Sequence, residues 1–324
     1  MLYNWFLSGA DKVEGAQNIQ YSPDANFGSI GRVRYINFDV PAAAQSTFFH
    51  TFWTAPAVQE KRWGIPNQLY MNVWLAALSF ICLKKQNQKV NLHTDKFGAE
   101  LLQFLPYDKV YLDLEGHKVS NKFWASGKFV AMRNEAEGAV HIDTDFFLYD
   151  GHLIDKIADN DIVVSHVENA VNYKELIDLF NKKLNLNFEN KAINAGLLKL
   201  GSRAQRFINS YWKLMFAAVN ENAITAFCLA NDKDASCCPD LFVEQVNLYD
   251  KLKDVDFVRL IADNKVQDNM LSDFGFAHLI CFDKYVHLPE VIEKVKELDN
   301  SLYGAIVDKM KQLDVSFELR INSE

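Results

Sequence analysis

The sequence predicts an α/β protein built on a mostly parallel sheet flanked by helices, and three observations carry that expectation. Short β-branched and aromatic runs alternate with stretches of helical apolar spacing along most of the chain. The helical stretches between strands run to roughly ten to fifteen residues, the length of right-handed crossovers between parallel neighbours. Hydrophobic residues make up 49% of the 324 residues and aromatic residues 13%, which is enough to bury a large core and too much for a disordered chain.

Taken in order, residues 8–38 are rich in Gly, Asn, Ser and Asp and read as loops around one or two short strands, such as 32–38. Residues 46–53 (STFFHTFW) are aromatic and β-branched, hence a strand. Residues 67–85 carry Leu69, Val73, Ala76, Ala77, Phe80 and Ile81 at helical spacing. A strand over 89–93 follows, with Thr94 or Asp95 placed to cap a helix over 96–104. Further expected elements are a strand at 110–114, a helix over Ser126–Asn134 and a strongly apolar strand over 139–148 (AVHIDTDFFL). Beyond it come strand 161–166, helix 173–181, strand Lys191–Leu200, and helices over 204–218 and 241–252. Strands near 256–261 and 277–281 precede an amphipathic helix over 289–311, with Val291, Ile292, Val295, Leu298, Leu302 and Ile306 on its apolar face. The expected organisation is an N-terminal extension (1–45), a main domain (46–288) and a closing helix and tail (289–324).

Several function classes lose their usual support. With 34 Lys+Arg against 42 Asp+Glu the net charge is −8, opposite to the basic balance of a nucleic-acid binder. No G-x-G-x-x-G follows an early strand and no G-x-x-x-x-G-K-[ST] loop is present. The longest apolar run, 73–83, is too short to span a bilayer. The first residues show no basic segment followed by an apolar core, and the five cysteines form no C-x-x-C pair. A cytoplasmic location with reduced thiols is the expectation, while the aromatic start MLYNWF leaves a peripheral membrane contact open.

In an open α/β sheet the ligand crevice lies at the carboxyl ends of the strands. Asp143-Thr144-Asp145 sits inside the apolar run 139–148. Two residues apart on a strand, the carboxylates would point to one side and repel each other. A hard divalent cation, Mn²⁺ or Mg²⁺, resolves that conflict. Secondary candidates at predicted strand ends are His93, Asp113 and His166, with Thr94 and Asp95 as caps. Trp53, Trp63 and Trp124 are candidate stacking residues, and Cys237-Cys238 reads as a loop feature.

Apolar residues around Asp143-Thr144-Asp145, after a helix with a basic residue, resemble the nucleotide-sugar-dependent glycosyltransferases of GT-A fold. Ile193-Asn194-Ala195-Gly196 is similar to the Asn-small-Gly strand of the glycogenin-like and galactosyltransferase-like members. Glu244-Gln245 resembles their acidic-Gln pair, and the run from His278 through Cys281 to Lys284 resembles their His-x-x-Gly-x-x-Lys motif. Residues 49–54 look like the opening strand of related polysaccharide-synthesis transferases.

The resemblance implies a metal-dependent transferase moving a hexose-type sugar from a UDP- or GDP-linked donor to a glycan or glycolipid acceptor. It implies Asp143, Asp145 and His278 as metal ligands, with Lys284 on the diphosphate and Lys128 and Asp143 on the donor. His50 and Thr51 would lie by the base, Glu244 or Gln245 at the reacting carbon, and Asn194 at substrate hydroxyls. Cys281 stands where those families have Gly, and Tyr285-Val286 replaces Pro-Trp. The alternatives are a metal-dependent nucleotidyltransferase or phosphohydrolase, and a non-catalytic nucleotide-sugar or glycan-binding protein.

Overall fold

The computed structural model describes residues 33–60, 68–117, 125–170, 187–201, 242–261, 275–279 and 283–321, together with 174, 177, 178, 181 and 182. Strands are β1 (Thr47–Phe52), β2 (Lys89–Thr94), β3 (Lys109–Tyr111), β4 (Val140–Ile142), β5 (Phe146–Leu148), β6 (Ile162–Asn169), β7 (Lys191–Leu200), β8 (Val258–Arg259) and β9 (Phe276–His278). Helices are α1 (Ala55–Glu60), α2 (Gln68–Lys85), α3 (Lys96–Leu101), α4 (Ser126–Asn134), α5 (Gly151–Ala158), α6 (Asn247–Leu252), α7 (Asp283–Val286), α8 (Leu288–Leu298) and α9 (Asn300–Ile321). A π-helical turn, Phe242–Val246, leads into α6.

The main sheet has seven strands in the order β3-β2-β1-β4-β7-β6-β8. β1 pairs in parallel with β2 and β4, β2 with β3, and β6 with β8, while β7 runs antiparallel to both β4 and β6. The mixed α/β architecture with a mostly parallel, helix-flanked sheet is therefore the one the sequence predicts.

Strand alternation gives the two sheet faces different chemistry. Phe48 and Phe52 of β1, Val90 and Leu92 of β2, and Val140 and Ile142 of β4 point into one core. That core is closed by α2, from Met71 to Leu83, and by Val291, Val295, Ile306 and Met310 of α8 and α9. α2 is apolar almost all round because it lies between the sheet and α8. On the opposite face Phe49, Val164, Ile193 and Leu198 meet Phe129 and Met132 of α4 and Leu248 and Leu252 of α6.

Several sequence expectations change. The single strand over 139–148 is two strands in two sheets: β4 stays in the main sheet, whereas β5 leaves it to pair antiparallel with β9. Phe146, Phe147 and Leu148 are fully buried there, so the apolar run continues through a change of sheet that periodicity does not register. Among the described residues, the strand expected at 32–38 is a short 3₁₀ turn, Val33–Tyr35, and the strand expected at 277–281 is β9, Phe276–His278, in the small sheet. The helix over 289–311 is two helices broken at Asp299, whose φ of −155° and ψ of 88° are extended and whose carboxylate accepts from Leu302 N–H at 2.9 Å. The helix over 204–218, Met1–Phe6, Trp63, Trp124 and Cys237-Cys238 lie outside the described residues, as does most of 173–181. No described helix is long and apolar enough to cross a membrane.

Candidate active site at the carboxyl ends of the strands

The Asp143-Thr144-Asp145 segment joins the two sheets as a turn, not as continuous strand. Asp143 N–H donates to Gly196 C=O at 2.7 Å, which extends the β4–β7 ladder by one rung. Phe146 N–H then donates back to Asp143 C=O at 3.0 Å and closes the turn. The Asp145 carbonyl accepts from Leu279 N–H at 3.0 Å, so the end of β9 is hung on the same residue. Among the described residues, Asp143, Asp145 and His278 each offer a ligand atom, and these atoms all lie within 4.8 Å of one another.

Gly196 makes room for this grouping. A Cβ on that residue would meet His278 Cε1 at 2.4 Å and Nε2 at 2.8 Å, so the imidazole rests directly on the β7 backbone. Asn194, two residues earlier, uses its side-chain oxygen to accept Gly196 N–H at 3.1 Å, and the Ser165 hydroxyl of β6 lies 3.0 Å from the same oxygen. It thus fixes the backbone under His278.

Two lysines balance the carboxylates. Lys128 of α4 reaches Asp143 at 3.0 Å, contacts Ala195 C=O at 3.3 Å and makes a close ion pair with Glu244 of the π-helical turn. Burial alone would favour neutral Lys128, but Asp143 and Glu244 outweigh it and hold the ammonium above the ordinary lysine range. Lys284 of α7 pairs closely with Asp145, whose other oxygen lies 3.5 Å from His278 Nε2. Burial opposes charge on Asp145, yet Lys284 and then His278 keep its carboxyl below the usual range. Burial lifts Asp143; Lys128 offsets this only in part, while Asp145 and Glu244 add to the rise.

The donor set suits a hard divalent ion: two carboxylates and an imidazole converge, His278 Nδ1 is buried with no hydrogen bond, and Asp145 Oδ1 has none either. Gln245 is half-buried next to Glu244, and its side-chain oxygen has no hydrogen-bond partner.

Other sequence-predicted residues stand apart from this group. His50 is fully buried on the α2 face, with Nδ1 2.9 Å from the Tyr107 hydroxyl and Nε2 3.0 Å from Ser79 Oγ. Burial brings its pKa down to about 3, so it is a neutral core histidine. Thr51 points to the opposite face, its methyl 3.5 Å from the Cβ position of Gly127 in α4. Asp95 caps α3 by accepting Gly98 N–H at 2.8 Å, as expected, and also binds the Thr54 hydroxyl at 2.8 Å. Trp53 meets the His117 ring edge-to-face at 5.0 Å. His166 is buried in β6, 3.4 Å from Glu168.

Of the polar layer beneath the site, sequence reasoning singled out His93 and Asp113 but missed Glu135 and His141. His93 is clamped between Asp113 at 2.7 Å and Glu135 at 3.0 Å. Burial pulls its pKa down, but the hydrogen bonds to those carboxylates prevail and raise it. His141 of β4 is fully buried, 3.8 Å from Asp143, and kept neutral by burial and by nearby Lys128. The alternation of β2 and β4 could have placed both histidines on the α4 face; nothing local marks Glu135 as the partner.

Among solved structures, the chain resembles the apo-form glycosyltransferase GlyE of Streptococcus pneumoniae TIGR4 at TM-score 0.34 and 10% identity over 67% of this chain and 45% of that one. A second GlyE structure gives TM-score 0.33, 10% identity and coverage of 67% and 46%. Mouse xyloside xylosyltransferase 1, apo form, gives 0.32 at 16% identity, covering 50% of this chain and 69% of that one. The chain spans less than half the length of GlyE. No curated protein matches it. The profile of DUF6734, a family of unknown function, matches residues 47–312, and the chain belongs to that family.

Proposed function

We propose that this chain is a metal-dependent glycosyltransferase that moves a sugar from a nucleoside-diphosphate donor to a glycan or glycolipid acceptor. One observation carries the reading. Asp143, Asp145 and His278 converge within 4.8 Å, with Lys284 on one carboxylate and Lys128 on the other. The group lies by the carboxyl end of β4, where an α/β sheet holds its ligand. The UDP- or GDP-linked donor and the polysaccharide context come from the sequence resemblance.

Asp143, Asp145 and His278 would hold Mn²⁺ or Mg²⁺, which when bound supplies Lewis-acid stabilisation to a departing diphosphate. The chain's own groups do the rest. Lys284 brings a second positive charge to the diphosphate oxygens, and such contacts accelerate transfer only as they strengthen in the transition state. Lys128 locks Asp143 and Glu244 into one arrangement. Gln245, whose side-chain oxygen is unengaged, would face the reacting sugar, and Asn194 holds Gly196 and thereby the seat of His278.

The rival two-metal phosphohydrolase would need further carboxylates at the site. Asp113 is engaged by His93 and Asn134, and Asp150 caps α5 through His152 N–H at 2.7 Å. Thermal unfolding with UDP, GDP and their sugar conjugates, each with and without Mn²⁺, tests the proposal. A ligand at a hundred times its Kd should add about 2.7 kcal/mol. The expected result is Mn²⁺-dependent stabilisation by one nucleotide family, absent in Asp145→Ala. If no nucleotide raises the transition with metal present, the proposal is wrong.

A further inference from the structure

Both carboxylates of the site are already matched by ammonium groups. Asp143 has both oxygens near Lys128 Nζ, at 3.0 and 3.2 Å. Asp145 has Lys284 on one oxygen and His278 Nε2 3.5 Å from the other. A divalent ion bound by the trio takes an oxygen from each aspartate; at Asp145 it can use Oδ1, which has no hydrogen bond, but it then shares that carboxylate with the Lys284 ammonium, and the two cations repel each other.

The two lysines differ in exposure. The Lys128 side chain is only 5% exposed and is tied to Glu244 and Ala195 C=O as well as to Asp143. Displacing it would strand a buried Glu244 carboxylate, a costly change. The Lys284 side chain is 27% exposed and sits on a helix of four residues. Lys284 is the more exposed of the two. A divalent ion at contact distance from its ammonium would repel it, and the groups best able to receive the displaced charge are phosphate oxygens.

We propose that Lys284 acts as a resident surrogate cation on Asp145, so that a divalent ion and a diphosphate load together, the ion displacing Lys284 and the diphosphate accepting it. The inference rests on the reading of this site as a nucleoside-diphosphate site. It makes the metal and nucleotide affinities reciprocal, each tightening the other by the same factor.

The test is equilibrium titration with Mn²⁺, followed by the electron paramagnetic resonance signal of the free ion, with and without UDP or GDP; no turnover is required. The wild type should bind Mn²⁺ weakly alone and more tightly with nucleotide. Lys284→Met, uncharged and similar in length, should bind Mn²⁺ alone about tenfold more tightly than the wild type and should lose about tenfold of the nucleotide's tightening effect, a coupling of ordinary size. Lys284→Arg, which keeps the charge, should behave like the wild type. Lys284→Gln serves as the neutral variant if Lys284→Met does not fold. Nucleotide-enhanced Mn²⁺ binding in the wild type, with no gain for the metal alone in either neutral variant, overturns this inference and leaves the proposed function standing. Absence of Mn²⁺ binding in every protein, with or without nucleotide, overturns both.

Discussion

At Gly196 one added methyl group would land 2.4 Å from the His278 ring, against a neighbour backed by Phe146, whose ring centroid lies 5.0 Å away. Gly196→Ala should therefore cost about 1–3 kcal/mol by overpacking, read from denaturant unfolding, and should abolish Mn²⁺-dependent stabilisation by nucleotides. A variant with wild-type stability and metal response would show that His278 does not rest on β7. At this scale the sequence was informative about residue types and silent about their pairing. Asp143, Asp145, Asn194, Gly196, His278 and Lys284 were all legible as candidates because each sits in a short recognisable pattern. That Asn194 serves the backbone of Gly196, and that Lys128 spends its charge on Glu244 as well as on Asp143, follows from contacts far apart in sequence. His50 shows the converse: a strand histidine by the expected crevice proves to be a neutral core group because alternation sends it to the α2 face.

Among the elements, the segment leading into β1 is held by side chains from beyond the end of α2. Gln86 is buried and accepts Ala42 N–H at 2.8 Å while donating to Val40 C=O at 3.0 Å and Tyr149 C=O at 2.6 Å. Gln88 accepts Ser46 N–H at 2.7 Å, and Asp155 of α5 accepts the amides of Ala43 and Ala44. Gln86→Ala removes the partner of three backbone groups at once and should destabilise the fold by about 2 kcal/mol, measured by urea unfolding. A loss under about 0.5 kcal/mol would mean that water replaces the side chain. The expected limits of β7 match the structure because its apolar run ends in polar or glycine residues on both sides. The β4–β5 break was not expected, since apolar character persists on both sides of the turn and only the antiparallel partner β9 distinguishes them. Asp299 could have been found: Asp-Asn-Ser is a helix-start signal, but the apolar spacing of α8 and α9 runs across it.

For the whole molecule, the sheet's two faces titrate differently. The α2 face holds His50, kept neutral by burial, whereas the α4 face carries the Asp113–His93–Glu135 cluster. His93 is raised in the folded state, so its contribution to stability is full below its unfolded pKa of about 6.5 and is lost as pH rises through the folded value. Asp113 and Glu135 are lowered; burial opposes this, but their bonds to His93 prevail, so their contribution is lost as pH falls through the acid range. The stability difference between the wild type and His93→Gln should accordingly be largest near pH 5–6 and shrink as pH is raised above about 6.5. A difference that is flat from pH 5 to 9 would show that His93 is not charged in the fold. The α/β class and the strand order's dependence on crossovers were readable from alternation, while the antiparallel β7 was not, because strand direction is set by connections rather than by local sequence. The turn between β4 and β5 has a consequence in time. Its two aspartates leave the ribosome together, but the imidazole that completes the set arrives with β9, after β6, β7 and β8 have been made. A nascent chain, or a fragment ending before Phe276, owns both carboxylates without the imidazole, so the three-ligand set is complete only once β9 has been made.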